Sequence, residues 1–162
     1  MPHDNPAPRT DENCPMFQPS QHDVRRFFCE TWRKSTSGLP MDAMELQAAP
    51  WIAEHAEYHV DLADVGAALA ASYTVEEGRS NPFLHLSMHL SITEQCAIDQ
   101  PKGIRQAVQL LAAKRNSLHE AHHEVMECLG DMIWQSQRSG LPPDGLVYLA
   151  AVCARATRPA VG

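Results

Sequence analysis

Six of the nine histidines in this 162-residue chain form three pairs with one spacing: His55 and His59 in HAEYH, His85 and His89 in HLSMH, His119 and His123 in HEAHH. A helix turns about 100° per residue, so positions i and i+4 leave the same face one turn apart. Each pair can bring two imidazole nitrogens to one point in space. Three pairs on three helices can converge inside a bundle, which is how helical metal sites are built. Imidazole suits zinc, copper, iron and nickel. Six nitrogens exceed the three or four protein ligands of one zinc ion, so the pattern predicts two metal ions, iron first and zinc or copper as the alternative.

Other residues are placed around these pairs by the same helical geometry. Glu127 lies about 80° from His119 and about 40° from His123, the best-placed carboxylate to join them as a bridging or terminal ligand. His122 falls on the opposite flank, as a hydrogen-bonding partner of a ligand or as an exposed residue. Cys96 returns almost to the face of His85 and His89, where it is either a thiolate ligand or an apolar filler. Glu57 and Tyr58 flank the first pair and can hydrogen-bond its imidazoles.

Proline and glycine divide the chain into segments with a helical period, and no run alternates long enough for a strand. Ser20 and Asp23 cap DVRRFFCETWRK, which ends at Ser37-Gly38-Leu39-Pro40. A short helix is predicted from Asp42 to Ala48, and Pro50 suits the first turn of a new helix carrying WIAEHAEYH. Leu62 to Tyr73 keeps the period. Asn81-Pro82 is a cap followed by a first-turn proline and opens a helix to about Ile98, apolar nearly all round and therefore buried. Ile104 to Lys114, Leu118 to Gln137 and Leu146 to Arg155 complete the set. The expected fold is all-α, an irregular helical bundle of five to seven helices. Residues 20–156 form one helical domain, with a disordered Pro-rich N-terminal arm at 1–19 and a frayed tail at 157–162.

A formal charge of −7 with only 13 Lys and Arg gives no basic footprint, which speaks against a nucleic-acid partner. No apolar stretch reaches the length of a membrane span, and the five prolines of the first 20 residues do not read as a secretory signal. Five scattered cysteines without a ligand spacing fit a reduced, cytoplasmic chain. His119-Glu120-Ala121-His122-His123 matches the H-E-x-x-H helix of zinc proteases, but the other two pairs would then be idle and no good third ligand lies downstream. Glycine-rich phosphate loops and G-x-S-x-G elbows are missing from the sequence.

NPFLHLSMHLSITEQ, HEAHHEVMECLGDMIW and QRSGLPPDGLVYL together resemble a family found chiefly in proteobacteria and catalogued as a domain of unknown function. The resemblance covers roughly residues 17 to 153. It implies a small helical protein carrying these His motifs and conveys no reaction. The ligand kit is similar to that of hemerythrin-like di-iron bundles, although their HxxxE and HxxxxD elements are absent.

The function expected from the residues is a non-heme di-iron protein that binds or activates dioxygen. His55, His59, His85, His89, His119, His123 and Glu127 are its metal ligands. As an oxygenase or oxidase it would act on an organic substrate, with Tyr58, Glu120 and His122 as catalytic partners behind the ligands. As a carrier or sensor it would bind O2 or NO reversibly, and a homo-oligomer is compatible with either. The alternative is a helical interaction module with a structural zinc or copper site, or with no metal.

Overall fold

Capping chemistry sets most of the helix boundaries in the computed structural model, which describes residues 20–74 and 76–159. The arm at 1–19 and the last three residues of the expected tail lie outside the described residues. Helix α1 (Gln21–Ser37) starts at a Ser20–Asp23 capping box and stops at Gly38, which takes the left-handed conformation that glycine adopts without strain. Helix α2 (Ala43–Glu54) starts at a second box between Asp42 and Glu45. Two short pieces follow, α3 (His59–Leu62) and α4 (Val65–Ala70). Then come α5 (Pro82–Ile98), α6 (Ile104–Arg115), α7 (Leu118–Ser139) and α8 (Gly145–Thr157). The described residues hold no strand and eight α-helices, an all-α bundle. That is one more than the upper expectation, because the stretch from Trp51 to Tyr73 breaks after Glu54 and again between Leu62 and Val65, leaving the short α3 and α4.

The sequence misleads at Pro50. It does not open a helix; it sits inside α2, which runs unbroken from Ala43. Proline inside a helix leaves the carbonyl four residues back without its amide partner. Here that carbonyl belongs to Leu46, which is 56% exposed, so water can serve it.

Two apolar cores share one helix. Phe28, Trp51, Ile52, Leu62, Phe83, Leu86 and Leu90 fill the space among α1 to α5. Ile92, Ile104, Val108, Leu111, Val125, Leu129, Tyr148 and Val152 fill the space among α5 to α8. Helix α5 contributes to both, which is why its sequence is apolar nearly all round. Arg25, 8% exposed, donates from one guanidinium nitrogen to the carbonyls of Ala68 at 2.7 Å and Ala71 at 2.8 Å, binding the end of α4 to α1. The seam where α2, α5 and α7 meet lies between the two cores, and there the histidines gather.

Candidate metal centre

Each of three helices brings histidine to the seam, but not in the same manner. His85 and His89 lie one turn apart on α5, and His119 and His123 one turn apart on α7. His55 stands where α2 ends, with φ −111° and ψ 64°, outside the helical region. Its amide bonds Ile52 O at 3.1 Å, so the Trp51 carbonyl loses its usual helical donor. The His55 ring replaces it: Nδ1 donates to Trp51 O at 2.6 Å. A 3-10 turn over Ala56–Tyr58 follows.

This break corrects the expectation that HAEYH is one helical turn. His59 leaves the face of His55, stacks on Trp32 with centroids 3.8 Å apart and donates from Nε2 to Ile52 O at 2.8 Å. Its ring thus caps the frayed end of α2 and does not reach the cluster.

Five histidines do reach it. One ring nitrogen from each of His55, His85, His89, His119 and His123 lies within 4.8 Å of all the others, so the group could hold a metal ion. His55 Nε2 is 3.0 Å from His85 Nε2 and 3.2 Å from His119 Nε2. At a metal–nitrogen distance of about 2.1 Å, neighbouring ligands stand about 3.4 Å apart in a tetrahedron, and about 3.0 Å (adjacent) or about 4.2 Å (opposite) in an octahedron. The 3.0 and 3.2 Å pairs fit neighbouring positions of one octahedral sphere, the 4.8 Å span of the whole group exceeds its diameter of about 4.2 Å so that the rings must draw in around an ion, and five donors are more than a tetrahedron takes.

Proton positions reinforce the geometry. A carbonyl only accepts, so His55 carries its proton on Nδ1 and a neutral ring shows a bare Nε2 to the cluster. His119 Nδ1 lies 3.3 Å from Glu54 Oε2, an acceptor too, which draws a proton to Nδ1, so that the neutral form of this ring also turns a bare Nε2 to the cluster. Carbonyl and carboxylate partners of this kind orient ligand histidines in metal sites. His89 Nε2 and His123 Nε2 are buried with no hydrogen-bond partner. Buried polar atoms are rarely left so, and lone pairs that face one another at 3.2 Å attract a cation placed between them.

Three of the five rings resist taking up a proton. Burial first, and the neighbouring rings second, push His85 down to about 4, and they lower His123 and, far more, His89. His122 is pushed down to about 3 by burial and then by His119 and His123. A histidine whose folded pKa lies below the unfolded value stabilises the fold fully above the unfolded pKa and loses that contribution as pH falls. Metal-free protein is therefore expected to lose on the order of a few kcal/mol of stability as pH falls from about 6.5 toward 4, and bound metal to be released in the same window. Urea unfolding midpoints that stay level from pH 7 to pH 4 would contradict this.

Trp51 forms the floor of the site. Its indole stacks on His89 at 4.1 Å and on His122 at 4.2 Å, and its Nε1 donates to Thr93 Oγ1 at 2.9 Å. Sequence reasoning missed Trp51, Glu54 and Thr93. The signal for the first was present, since Trp51 stands four residues before His55. His122, expected either as a hydrogen-bonding partner of a ligand or as an exposed residue, is buried against His89 with the two Nδ1 atoms 3.1 Å apart.

The remaining expected residues lie as follows. Glu127 is not among the five-histidine group; it is exposed and accepts from Arg155 at 2.6 Å, facing α8. The helical angle that favoured it ignores α8, which offers a cation on that side. Glu120 is exposed in the first turn of α7, where its amide bonds Ser117 Oγ at 3.1 Å. Its charge and that of Glu57 still reach His123, opposing the downward shift. Tyr58 lies parallel to His55 at 5.3 Å and edge-on to His85 at 5.8 Å. Its hydroxyl is held protonated by burial and then by Glu57 and Asp61. Cys96 packs against the α6–α8 core and does not join the group. Both histidines of H-E-x-x-H belong to the five-membered group, a different set from the protease pattern.

The floor residues His55 and His89 are 2% and 0% exposed, while His85, His119 and His123 are half-buried and give the site an open side. Fold and site together define an all-α protein with a five-histidine group able to hold a metal ion. Within that class the chain belongs to the DUF1841 family, described as a domain of unknown function, whose sequence profile matches residues 20–154. No curated protein and no solved structure matches the chain. No helix among the described residues is long and apolar enough to cross a membrane.

Proposed function

We propose that the five histidines hold one six-coordinate transition-metal ion, iron(II) by preference, and leave one position for a small neutral ligand such as dioxygen or nitric oxide. The observation that carries this is the convergence of five imidazole nitrogens within 4.8 Å of one another. Five donors exceed the usual complement of zinc, and an all-imidazole set suits iron as well as nickel and copper. The two-ion arrangement expected from the sequence needs His59 and Glu127, which are engaged by Ile52 and Arg155, so a single ion is the better-supported reading.

The residues divide the work between them. His55 and His89 form the buried floor, and the half-buried His85, His119 and His123 border the side from which a ligand arrives. Neutral donors leave the ion its full charge, which favours the reduced state and reversible binding of a small molecule. Trp51, 6% exposed and stacked on His89, shields the floor from water.

The test is elemental analysis of protein purified from iron-supplemented cells and after anaerobic reconstitution, with electron paramagnetic resonance after adding nitric oxide. One iron per chain and the signal of an iron nitrosyl are expected. Two irons per chain, zinc retained against iron, or no response to nitric oxide would overturn the reading.

A further inference from the structure

His89 offers two nitrogens, and which of them faces the cluster as a bare acceptor depends on a residue outside the five. Its Nδ1 is 3.1 Å from His122 Nδ1. The ring centroids are 5.3 Å apart and the planes 23° from parallel. That separation is the hydrogen bond plus the two ring radii, so the imidazoles lie side by side and share one in-plane N–H···N bond. The indole of Trp51 lies under both rings, 14° from the plane of His89 and 31° from that of His122, and holds them level. Both histidines are buried, so water does not replace either as partner.

Only one of the two Nδ1 atoms can carry the shared proton. If His122 donated, His89 would hold its own proton on Nε2, a buried atom with no acceptor and the ring nitrogen that the His122 contact leaves free for the group. If His89 donates, its Nε2 is bare and becomes the fifth donor.

We propose that His122 is the positioning residue that fixes His89 as an Nε2 ligand, by accepting the Nδ1 proton of His89 while keeping its own on Nε2. The affinity part of this inference rests on the metal reading; the tautomer part does not. Residues that hold a ligand histidine in this way typically contribute 10–100-fold to metal affinity. The role is one of orientation, and His122 is not itself a donor in the group of five.

Two measurements test it. Nitrogen-15 NMR of metal-free, histidine-labelled protein is expected to show His89 protonated at Nδ1 and His122 at Nε2; the reverse assignment overturns the proposal, whether or not the protein binds metal. Chelator competition with iron(II) then compares variants confirmed as folded by circular dichroism. His122→Leu, which removes the acceptor, is expected to weaken binding 10–100-fold. His122→Asn, whose carbonyl oxygen overlays Nδ1, is expected to restore most of it. Unchanged affinity in His122→Leu, or equal loss in both variants, would show that His122 only fills space. Absence of iron binding in the unsubstituted protein would defeat the metal reading and leave the NMR result to decide the tautomer.

Discussion

Alanine at His85 is expected to reduce metal affinity well beyond the 10–100-fold that follows loss of an outer hydrogen-bonding partner, because a donor itself is removed. His85 is the informative choice. It is half-buried, so its removal leaves little cavity in the core, whereas His89 is fully enclosed. The same substitution at His59 or Glu127 is expected to leave the metal content unchanged. His59 is bonded to Ile52 and stacked on Trp32, and Glu127 is paired with Arg155. Elemental analysis of the three variants side by side separates a five-histidine site from the larger kit that the HxxxH pattern suggests. Metal lost from His59→Ala or Glu127→Ala, with the fold intact, would restore the two-ion arrangement.

Trp51→Ala is expected to cost about 3–5 kcal/mol of folding stability, the range for deleting a buried aromatic side chain. Trp51 is 6% exposed within the α1–α5 core, stacks on two imidazoles and donates to Thr93. Its loss opens a cavity beneath His89 and His122 and frees both rings to rotate. Metal affinity should therefore fall together with stability. Trp51→Phe keeps an aromatic face and loses the indole donor, so it should recover most of both. Chemical denaturation of the metal-free proteins reads the first effect without interference from the second. A loss below about 1 kcal/mol in Trp51→Ala would mean that the core closes around the gap and that the stack is incidental.

The two halves of the site differ in how far the sequence reveals them. Asn81 and Pro82 mark the start of α5 because side-chain capping and a fixed φ act locally, and the observed helix begins there and ends at Ile98 as expected. Within α5 and α7 the i, i+4 rule needs only a continuous helix, so His85 with His89 and His119 with His123 are legible as pairs. His55 and His59 share that spacing and fail to share a face, since the helix between them is broken. Nothing local announces the break: Pro50, the nearest punctuation, lies on the solvent side and is absorbed into α2. The long-range contacts of the two rings fall on either side of the break: His55 faces His85 and His119, His59 stacks on Trp32 of α1, and each ring takes up a nearby α2 carbonyl, that of Trp51 or Ile52. Glu127 fails for a related reason. A helical wheel gives its direction but not the neighbour it meets, and the neighbour is Arg155 of α8.

The break after α2 also sets where the chain can change length. His55 is the last residue anchored by that helix, and the segment from Ala56 to Asp64 contributes no donor to the group. A residue gained or lost around Ala63, between α3 and α4, therefore leaves all five nitrogens in place. An insertion between His85 and His89, or between His119 and His123, turns one ring about 100° away from the other and empties the site of a donor. Natural variants should accordingly collect their insertions and deletions in the first interval and keep the other two at constant length, and the same rule tells an engineer where a loop can be grafted beside the site.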